Sequence, residues 1–183
     1  YYFVTDKAGL QRQISFNESN YVTTSLIDVD WYMDIRVHEK DSFNLIDLKG
    51  QSGGGRELYG ELFNTRSRSK SFDFVFNNVR TDMATSCVVD MAASSGEVTP
   101  VQVSYGGTTG MIRMAAIGST DFHTKAIKGS LQLQPKPNDG AVQTVTINYK
   151  GNQSSATAYL NFIELQVPCS LTMVGDEMTI VNT

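Results

Sequence analysis

The residues that could support nucleophilic catalysis in this 183-residue sequence are two cysteines and two histidines. A catalytic dyad would need Cys87 or Cys169 as the nucleophile and His38 or His123 as the base that deprotonates it. Both cysteines lie in apolar, strand-like surroundings, and neither follows a turn that would expose a reactive thiol. The sequence also contains no GxSxG, HExxH or P-loop motif. We therefore expect no catalytic residue in this chain.

The two cysteines are too few for a disulfide framework and have no CxxC spacing for metal or redox chemistry. One bridge between them is one interpretation. A pair of free, buried thiols is favoured, because Cys87 alternates with Val89 and Met91 on an apolar face.

Carboxylates are the other candidates for chemistry, because Asp28, Asp30 and Asp34 alternate along one predicted strand face. Acidic side chains two residues apart on a strand can bind Ca²⁺ through their oxygens. Arg36 continues the same face, so we favour solvent-facing charges that deter edge pairing over a metal site. We expect neither a metal nor another cofactor. Trp31, among these carboxylates, is expected to pack in the core rather than to stack on a sugar.

Composition and charge exclude several classes of partner. Lys and Arg number 15 and Asp and Glu 19, so the formal net charge of -4 lacks the basic bias of nucleic-acid-binding proteins. The short basic run at 66–70 is interpreted as a solvated loop rather than a phosphate site. No apolar run approaches the ~18 residues of a membrane span. With 40% hydrophobic and 19% charged residues, the chain is expected to fold.

Side-chain alternation predicts the elements that would position these residues. Val, Ile and Thr together number 43, against 36 for Ala, Leu, Glu and Lys, which favours strands over helices. Between 29 and 37 the odd positions are apolar and are expected to face the core. The same alternation recurs in Phe72, Phe74 and Phe76, in Cys87, Val89 and Met91, in Val101, Val103 and Tyr105, in Leu131 and Leu133, and in Val145, Ile147 and Tyr149. These segments, separated by turn-forming residues, predict an all-β fold, an antiparallel β-sandwich of roughly ten strands.

The two ends of the chain add two expectations. Near the C-terminus the apolar face changes after one residue, from Ala156, Ala158, Leu160 and Phe162 to Ile163, Leu165 and Val167. Such a shift indicates a β-bulge or a strand that passes from one sheet to the other. The opening Tyr1-Tyr2-Phe3 has no Met and is β-prone, so we expect residues 1–183 to be a single β-sandwich domain cut from a longer chain.

Four stretches, taken in order, resemble a known family. They are 38–46 (HEKDSFNLI), 55–63 (GRELYGELF), 72–79 (FDFVFNNV) and 158–165 (AYLNFIEL). Their order and spacing are similar to the β-rich region that precedes the peptidase domain in gingipain-type cysteine peptidases, the sortases of the type IX secretion system in Gram-negative bacteria. Gly54, Leu58 and the segment 168–170 depart from the family pattern, which allows a divergent paralogue.

The resemblance implies a non-catalytic accessory domain of an exported peptidase, associated with the cell surface or the outer membrane. Its expected partners are the adjacent peptidase domain and other outer-membrane components of the secretion system. The catalytic His and Cys of the family would lie beyond residue 183, so none of the four residues named above inherits a catalytic role. The motif residues are candidates for fold support or contact between domains: Glu39, Asp41, Asn44, Arg56, Glu57, Tyr59, Gly60 and Glu61.

The residue types of the second stretch, 55–63, suggest a structural role without reference to the family. Arg56 could form a bidentate pair with a carboxylate, and Gly60 permits a close backbone approach. A carbohydrate- or protein-binding adhesive module is the alternative function, and a structural spacer is a third. A glycan site would be recognised by two or three coplanar aromatic rings on one open surface.

Overall fold

The computed structural model describes residues 30–43, 45, 58–121 and 124–172. These residues form nine strands and no helix, and therefore contain no helix that could cross a membrane. The strands are β1 (Trp31–Glu39), β2 (Leu62–Phe63), β3 (Ser69–Val75), β4 (Ser86–Ser94), β5 (Thr99–Tyr105), β6 (Thr108–Met114), β7 (Ile127–Leu133), β8 (Val142–Tyr149) and β9 (Thr157–Ser170).

The strands build two antiparallel sheets that pack face to face. One sheet has the order β1-β9-β4-β7, with β2 pairing to β9 beyond the end of β1. The other has the order β3-β8-β5-β6. This arrangement confirms the predicted antiparallel β-sandwich, and the nine strands of the described part agree with the expected number.

The core lies between the sheets and is built by the alternation that the sequence shows. Phe74, Val89, Val103 and Ile147 are buried and belong to one continuous cluster with residues from both sheets. Their strand neighbours face outward, because successive side chains of a strand point to opposite faces. The five alternating groups predicted between 72 and 149 are confirmed, with Leu131 partly buried against the core.

A β-bulge in β9 explains the change of apolar face. Asp90 on β4 pairs with Phe162, whereas its neighbour Met91 pairs with Leu160, so Asn161 is the additional residue. The extra residue brings Leu160 and Ile163 to the same inner face. The predicted bulge is confirmed, and β9 stays within one sheet. Phe162 was expected on the face of Leu160, and this is wrong: it lies on the outer face, partly exposed.

The predicted orientation of β1 is also wrong. Its alternation is present, but Ile35 and Val37 point away from the core and are 46% and 55% exposed. The register with β9 places Arg36 opposite Leu165 and His38 opposite Ile163, so the polar residues face inward. β1 is the edge strand of its sheet in the described part of the chain. Polar groups can face inward there because the rim of the sandwich leaves their ends near water, and inward-pointing charges also deter edge pairing.

The two long sides of the sandwich are closed differently. On one side β6 and β7 approach closely, and two glycines make this possible. A Cβ on Gly110 would meet Leu131 Cδ2 at 2.6 Å, and one on Gly129 would meet Ile112 Cγ2 at 2.7 Å. On the other side, β1 and β3 are bridged by polar and aromatic side chains instead of two backbones in close contact. We call this side the β1–β3 rim.

Candidate functional site

The β1–β3 rim contains a group of polar side chains that lie towards the inner side of the sheets. Its members are Asp34, Arg36 and His38 of β1, Glu61 just before β2, and Lys70 of β3. Arg36 donates to Asp34 Oδ2 at 2.9 Å and its guanidinium lies 5.8 Å from the centre of the Phe76 ring. Lys70 Nζ lies 5.8 Å from the centre of the Phe63 ring. The aromatic faces thus support the cations at the rim.

At the centre of the rim, His38 Nε2 donates to Glu61 Oε1 at 3.1 Å. The side chains are 33% and 16% exposed, and the His38 ring packs on Phe72 with the centroids 4.7 Å apart. The other carboxylate oxygen, Glu61 Oε2, is buried without a hydrogen-bond partner. A carboxylate that orients an imidazole supplies two of the three members of a catalytic triad. The described residues place no cysteine beside it, so we interpret the pair as a structural link.

Backbone contacts hold Glu61 in place. Tyr59 and Phe43 form an isolated antiparallel bridge, in which Tyr59 N donates to Phe43 O at 2.9 Å and Phe43 N donates to Tyr59 O at 2.8 Å. The next residue, Gly60, donates its N–H to Leu160 O at 2.7 Å. A Cβ on Gly60 would lie 2.8 Å from Lys40 O, so this close approach requires glycine.

The structure sorts the predicted motif residues into three groups. Tyr59, Gly60 and Glu61 come together beside β9, and Tyr59 is buried against a small cluster that includes Leu45 and Ala92. Glu39 and Asp41 are exposed. Asn44, Arg56 and Glu57 lie outside the described residues, and the Arg56 ion pair stays a prediction.

Sequence reasoning missed the role of His38, Lys70 and Phe72 at the rim. The sequence presents His38 as a candidate base within a resembling stretch and Lys70 as part of a basic run, and neither pattern predicts that they line this rim. A usable signal is present in the sequence, since His38 is the first residue of the first resembling stretch and Glu61 lies within the second.

All four resembling stretches meet around this rim. The first contains His38 and the second Glu61, which are hydrogen-bonded. The third contributes Phe72, against which His38 packs. The fourth contributes Leu160, whose backbone bonds to Gly60 and Glu61, and Ile163, which pairs with His38. Residues as far apart in the sequence as His38 and Ile163 thus form one connected region.

The two thiols are free and fully buried. Burial raises the pKa of Cys87 to about 12 and that of Cys169 to about 11, which disfavours the reactive thiolate. Cys87 pairs with Leu165 on β9, and Cys169 lies four residues further along that strand. At about 3.3 Å per residue this is a separation of about 13 Å, whereas a disulfide needs Cα atoms within about 7 Å. Free buried thiols, the favoured prediction, are confirmed.

The carboxylates considered for Ca²⁺ have separate partners. Arg80 donates to Asp30 at 2.9 Å and also to Asp82, while Asp34 accepts from Arg36. No group of three or more metal-ligating side chains occurs within the described ranges, and Asp28 lies outside them. Asp34 and Arg36 lie on the inner side of β1, where Asp34 is 18% exposed and not solvent-facing as predicted, whereas Arg36 at the rim is 51% exposed, in agreement with the prediction. Trp31 lies on the outer face, partly buried, and not in the core.

The basic run at 66–70 is a loop that enters β3. Asn64 Oδ1 accepts hydrogen bonds from the backbone N–H groups of Arg66 and Ser67 at 2.8 Å. Arg68 is not simply solvated, because its guanidinium donates to Gly151 O at 3.0 Å. Its charge therefore helps to hold two loops together.

Comparisons with known proteins find similarity of fold. No protein-family model and no curated protein matches the chain. The chain is similar to the crystal structure of dimeric latent PorU from Porphyromonas gingivalis, with a TM-score of 0.66 and 20% identity over 80% of this chain. It spans 14% of the length of that PorU chain. At this identity the likeness shows a shared fold.

Two carbohydrate-binding modules are more distant. One is CBM36 in complex with calcium and xylotriose, with a TM-score of 0.40 and 14% identity over 75% of this chain and 99% of the module. The other is the CBM36-1 domain of a multidomain xylanase from the hindgut metagenome of Trinervitermes trinervoides, with a TM-score of 0.38 and 11% identity over 73% of this chain and 96% of that domain. These scores are too low to support a functional argument. The chain is thus a β-sandwich that shares its fold with a part of PorU.

Proposed function

We propose that this chain is a non-catalytic accessory domain of an exported gingipain-type cysteine peptidase resembling the type IX secretion sortase. In this role it supports or positions the adjacent peptidase domain of the same polypeptide at the cell surface or outer membrane. Other outer-membrane components of the secretion system are further proposed partners.

The observation that carries the proposal is the meeting of the four resembling stretches at the β1–β3 rim. A chance resemblance would scatter such segments over the fold. Here His38, Glu61, Phe72 and Leu160, one from each stretch, are joined through direct contacts. The shared fold with a part of PorU supports the same interpretation independently of the motifs.

The state of the cysteines supports a non-catalytic role. A cysteine peptidase needs an accessible thiolate next to a base. Cys87 and Cys169 are fully buried, burial raises the pKa of both, and Cys169 Sγ donates to Val167 O at 3.6 Å rather than to a histidine.

A peptide-cleavage assay tests the proposal. We expect residues 1–183 alone to cleave no peptide, and the longer polypeptide that contains them to cleave peptides in a reaction that alkylation of its thiols abolishes. Alkylation-sensitive cleavage by residues 1–183 would contradict the non-catalytic role. A longer polypeptide without thiol-dependent activity would contradict the peptidase context.

The adhesive alternative receives no comparable support. It requires coplanar aromatic rings on an open surface. The surface ring pair of the described residues, Phe43 and Tyr159, has an interplanar angle of 58°. A tilted pair does not form a flat platform for a sugar.

A further inference from the structure

The outer face of β1 presents apolar side chains to solvent, although most outward positions of a sandwich are polar. Ile35 and Val37 are 46% and 55% exposed, and Trp31 and Met33 continue the same row partly buried. The register with β9 and β4 brings Val88 and Phe162 onto this face, both partly exposed. We call these six residues the outer β1 face.

The two cross-strand rows at the centre of this face carry charges of one sign. Glu164 lies between Val37 and Val88 in the same cross-strand row, and Phe162 lies between Glu39 and Asp90 in the next row. The described strand positions of these two rows, which end on β7 with Gln132 and Ser130, contribute three carboxylates and no Lys or Arg. Asp90 and Glu164 already accept hydrogen bonds from Asn161 and Gln166. A partner that covers the face must leave the carboxylates solvated or place further donors against them, of which Lys and Arg are the strongest.

The form of the face distinguishes two kinds of docking. Addition of a strand to β1 would use its edge, where the inward-pointing Asp34, Arg36 and His38 oppose pairing. Packing of another surface onto the outer face uses the exposed side chains instead and leaves the edge unchanged. The structure therefore favours face-to-face docking.

The size of the face selects the kind of partner. A stable complex between separate proteins usually buries about 800 Å² on each side. Ile35 and Val37 are the two most exposed apolar side chains of this face, and two side chains make a small contribution to such an area. A domain of the same polypeptide is held at a high effective concentration, so a small and partly polar contact is sufficient.

We infer that the outer β1 face is the docking surface for the neighbouring domain of the same polypeptide, and that this domain presents apolar side chains flanked by Lys or Arg. The inference rests on the proposed function, because it names the surface through which the domain would position its neighbour. It adds a location and a charge pattern that the resemblance does not contain.

Cysteine labelling tests the inference directly. Val37→Cys places a thiol in the face, and Val75→Cys, at a position 61% exposed on the other sheet, is the matched control. The native thiols are fully buried and contribute little background. In residues 1–183 both new thiols should react rapidly with a water-soluble maleimide. In the longer polypeptide Val37→Cys should react about tenfold more slowly, as for a site covered about 90% of the time, while Val75→Cys keeps its rate.

A charge variant tests the predicted character of the partner. Adding Glu39→Lys to Val37→Cys should restore part of the lost labelling rate in the longer polypeptide, because it places a cation against the cationic rim. Adding Glu97→Lys, at an exposed carboxylate outside the face, should not. Equal effects of the two variants would contradict the charge pattern.

The outcomes separate the inference from the proposed function. Slow labelling of Val75→Cys but not of Val37→Cys would show docking through the other sheet, which overturns the inference and leaves the proposed function standing. Rapid labelling of both thiols in the longer polypeptide would overturn both. Protection of Val37→Cys within residues 1–183 that increases with protein concentration would identify a second copy as the occupant and overturn the inference.

Discussion

The hydrogen bond between His38 and Glu61 links β1 to the residue just before β2 at the β1–β3 rim. Glu61 is mostly buried, and its second carboxylate oxygen has no partner, so the bond to His38 compensates only part of the cost of burying the carboxylate. A buried carboxylate held at one oxygen is sensitive to any change in its partner.

A double-mutant cycle should measure this link. Hydrogen bonds to charged groups contribute about 1.5–3 kcal/mol, and partial exposure of His38 reduces the expected coupling between His38→Ala and Glu61→Ala to about 1 kcal/mol. The measurement is urea unfolding of the two single variants and the double variant. A cycle of His38→Ala with Glu97→Ala serves as the control and should be additive. Additivity in the first cycle would show that the bond does not stabilise the fold.

The buried thiols give a second prediction at this scale. Cys87 and Cys169 should not react with a thiol reagent at pH 8 in the folded chain, and both should react once urea unfolds it, because burial excludes the reagent and disfavours the thiolate. The absorbance of the released reagent group measures this. Rapid reaction of either thiol in the folded chain would contradict the burial of the two cysteines.

The same burial predicts a loss of stability in alkali. Desolvation raises the pKa of Cys87 from 9.0 to about 12, and that of Tyr105 from 10.0 to about 12. A raised folded-state pKa leaves stability intact below the unfolded value and removes it as the pH rises towards the folded value. The urea midpoint should therefore fall between pH 9 and pH 12, and less in Cys87→Ala measured against its own midpoint at pH 8. An equal fall in both chains would exclude Cys87 as a source.

At the scale of elements, the segment from Tyr59 to Phe63 depends on one close backbone contact. A Cβ at Gly60 would meet Lys40 O at 2.8 Å and Lys40 Cβ at 3.0 Å, and backbone atoms cannot give way as a flexible side chain does. Gly60 and Lys40 can thus approach closely because Gly60 has no side chain.

Gly60→Ala should lower the free energy of unfolding by about 1–3 kcal/mol, the usual cost of overpacking. The matched control is Gly96→Ala, where an added Cβ has no atom within 4 Å, and it should change the stability by less than about 0.5 kcal/mol. Thermal unfolding followed by circular dichroism measures both. If the two variants unfold at the same temperature, the close approach at Gly60 is not a determinant of the fold.

The strands were largely predictable from the sequence, and their faces were predictable only in the interior. Central strands such as β8 are buried on one face. Because Val145 and Ile147 are apolar and their strand neighbours are polar, only one orientation of β8 buries the apolar side chains. On the edge strand β1 the apolar stripe faces outward. Alternation gives the period but not the side, and the side depends on the register with β9, which the local sequence does not encode. The stability of the fold does not explain why Ile35 and Val37 are apolar although they face solvent. We propose docking of a neighbouring domain as the explanation.

The candidate site was predictable in part. Gly60 and Glu61 were selected from the resembling stretch, whereas Lys70 and Phe72 reach the rim only through the pairing of β3 with β8 and the packing of the two sheets. Contacts that depend on sheet packing bring together residues remote in sequence, and single-sequence patterns do not report them.

At the scale of the whole molecule, structural similarity supports the fold, whereas the proposed accessory role is a separate question. The chain shares its fold with part of PorU, with a TM-score of 0.66, at 20% identity. Side-chain alternation is enough to specify a sandwich across such divergence. A role as an accessory domain depends instead on a neighbour, so it must be tested in the longer polypeptide.

The most direct test of the central claim is thermal inactivation of peptidase activity in that polypeptide, with Gly60→Ala compared with Gly96→Ala. Both substitutions lie within the β-sandwich and outside the proposed peptidase domain. If the sandwich supports the peptidase, Gly60→Ala should lower the inactivation temperature together with the unfolding temperature of the sandwich, and Gly96→Ala should leave both unchanged. Full peptidase activity at a temperature where the Gly60→Ala sandwich is already unfolded would contradict the claim.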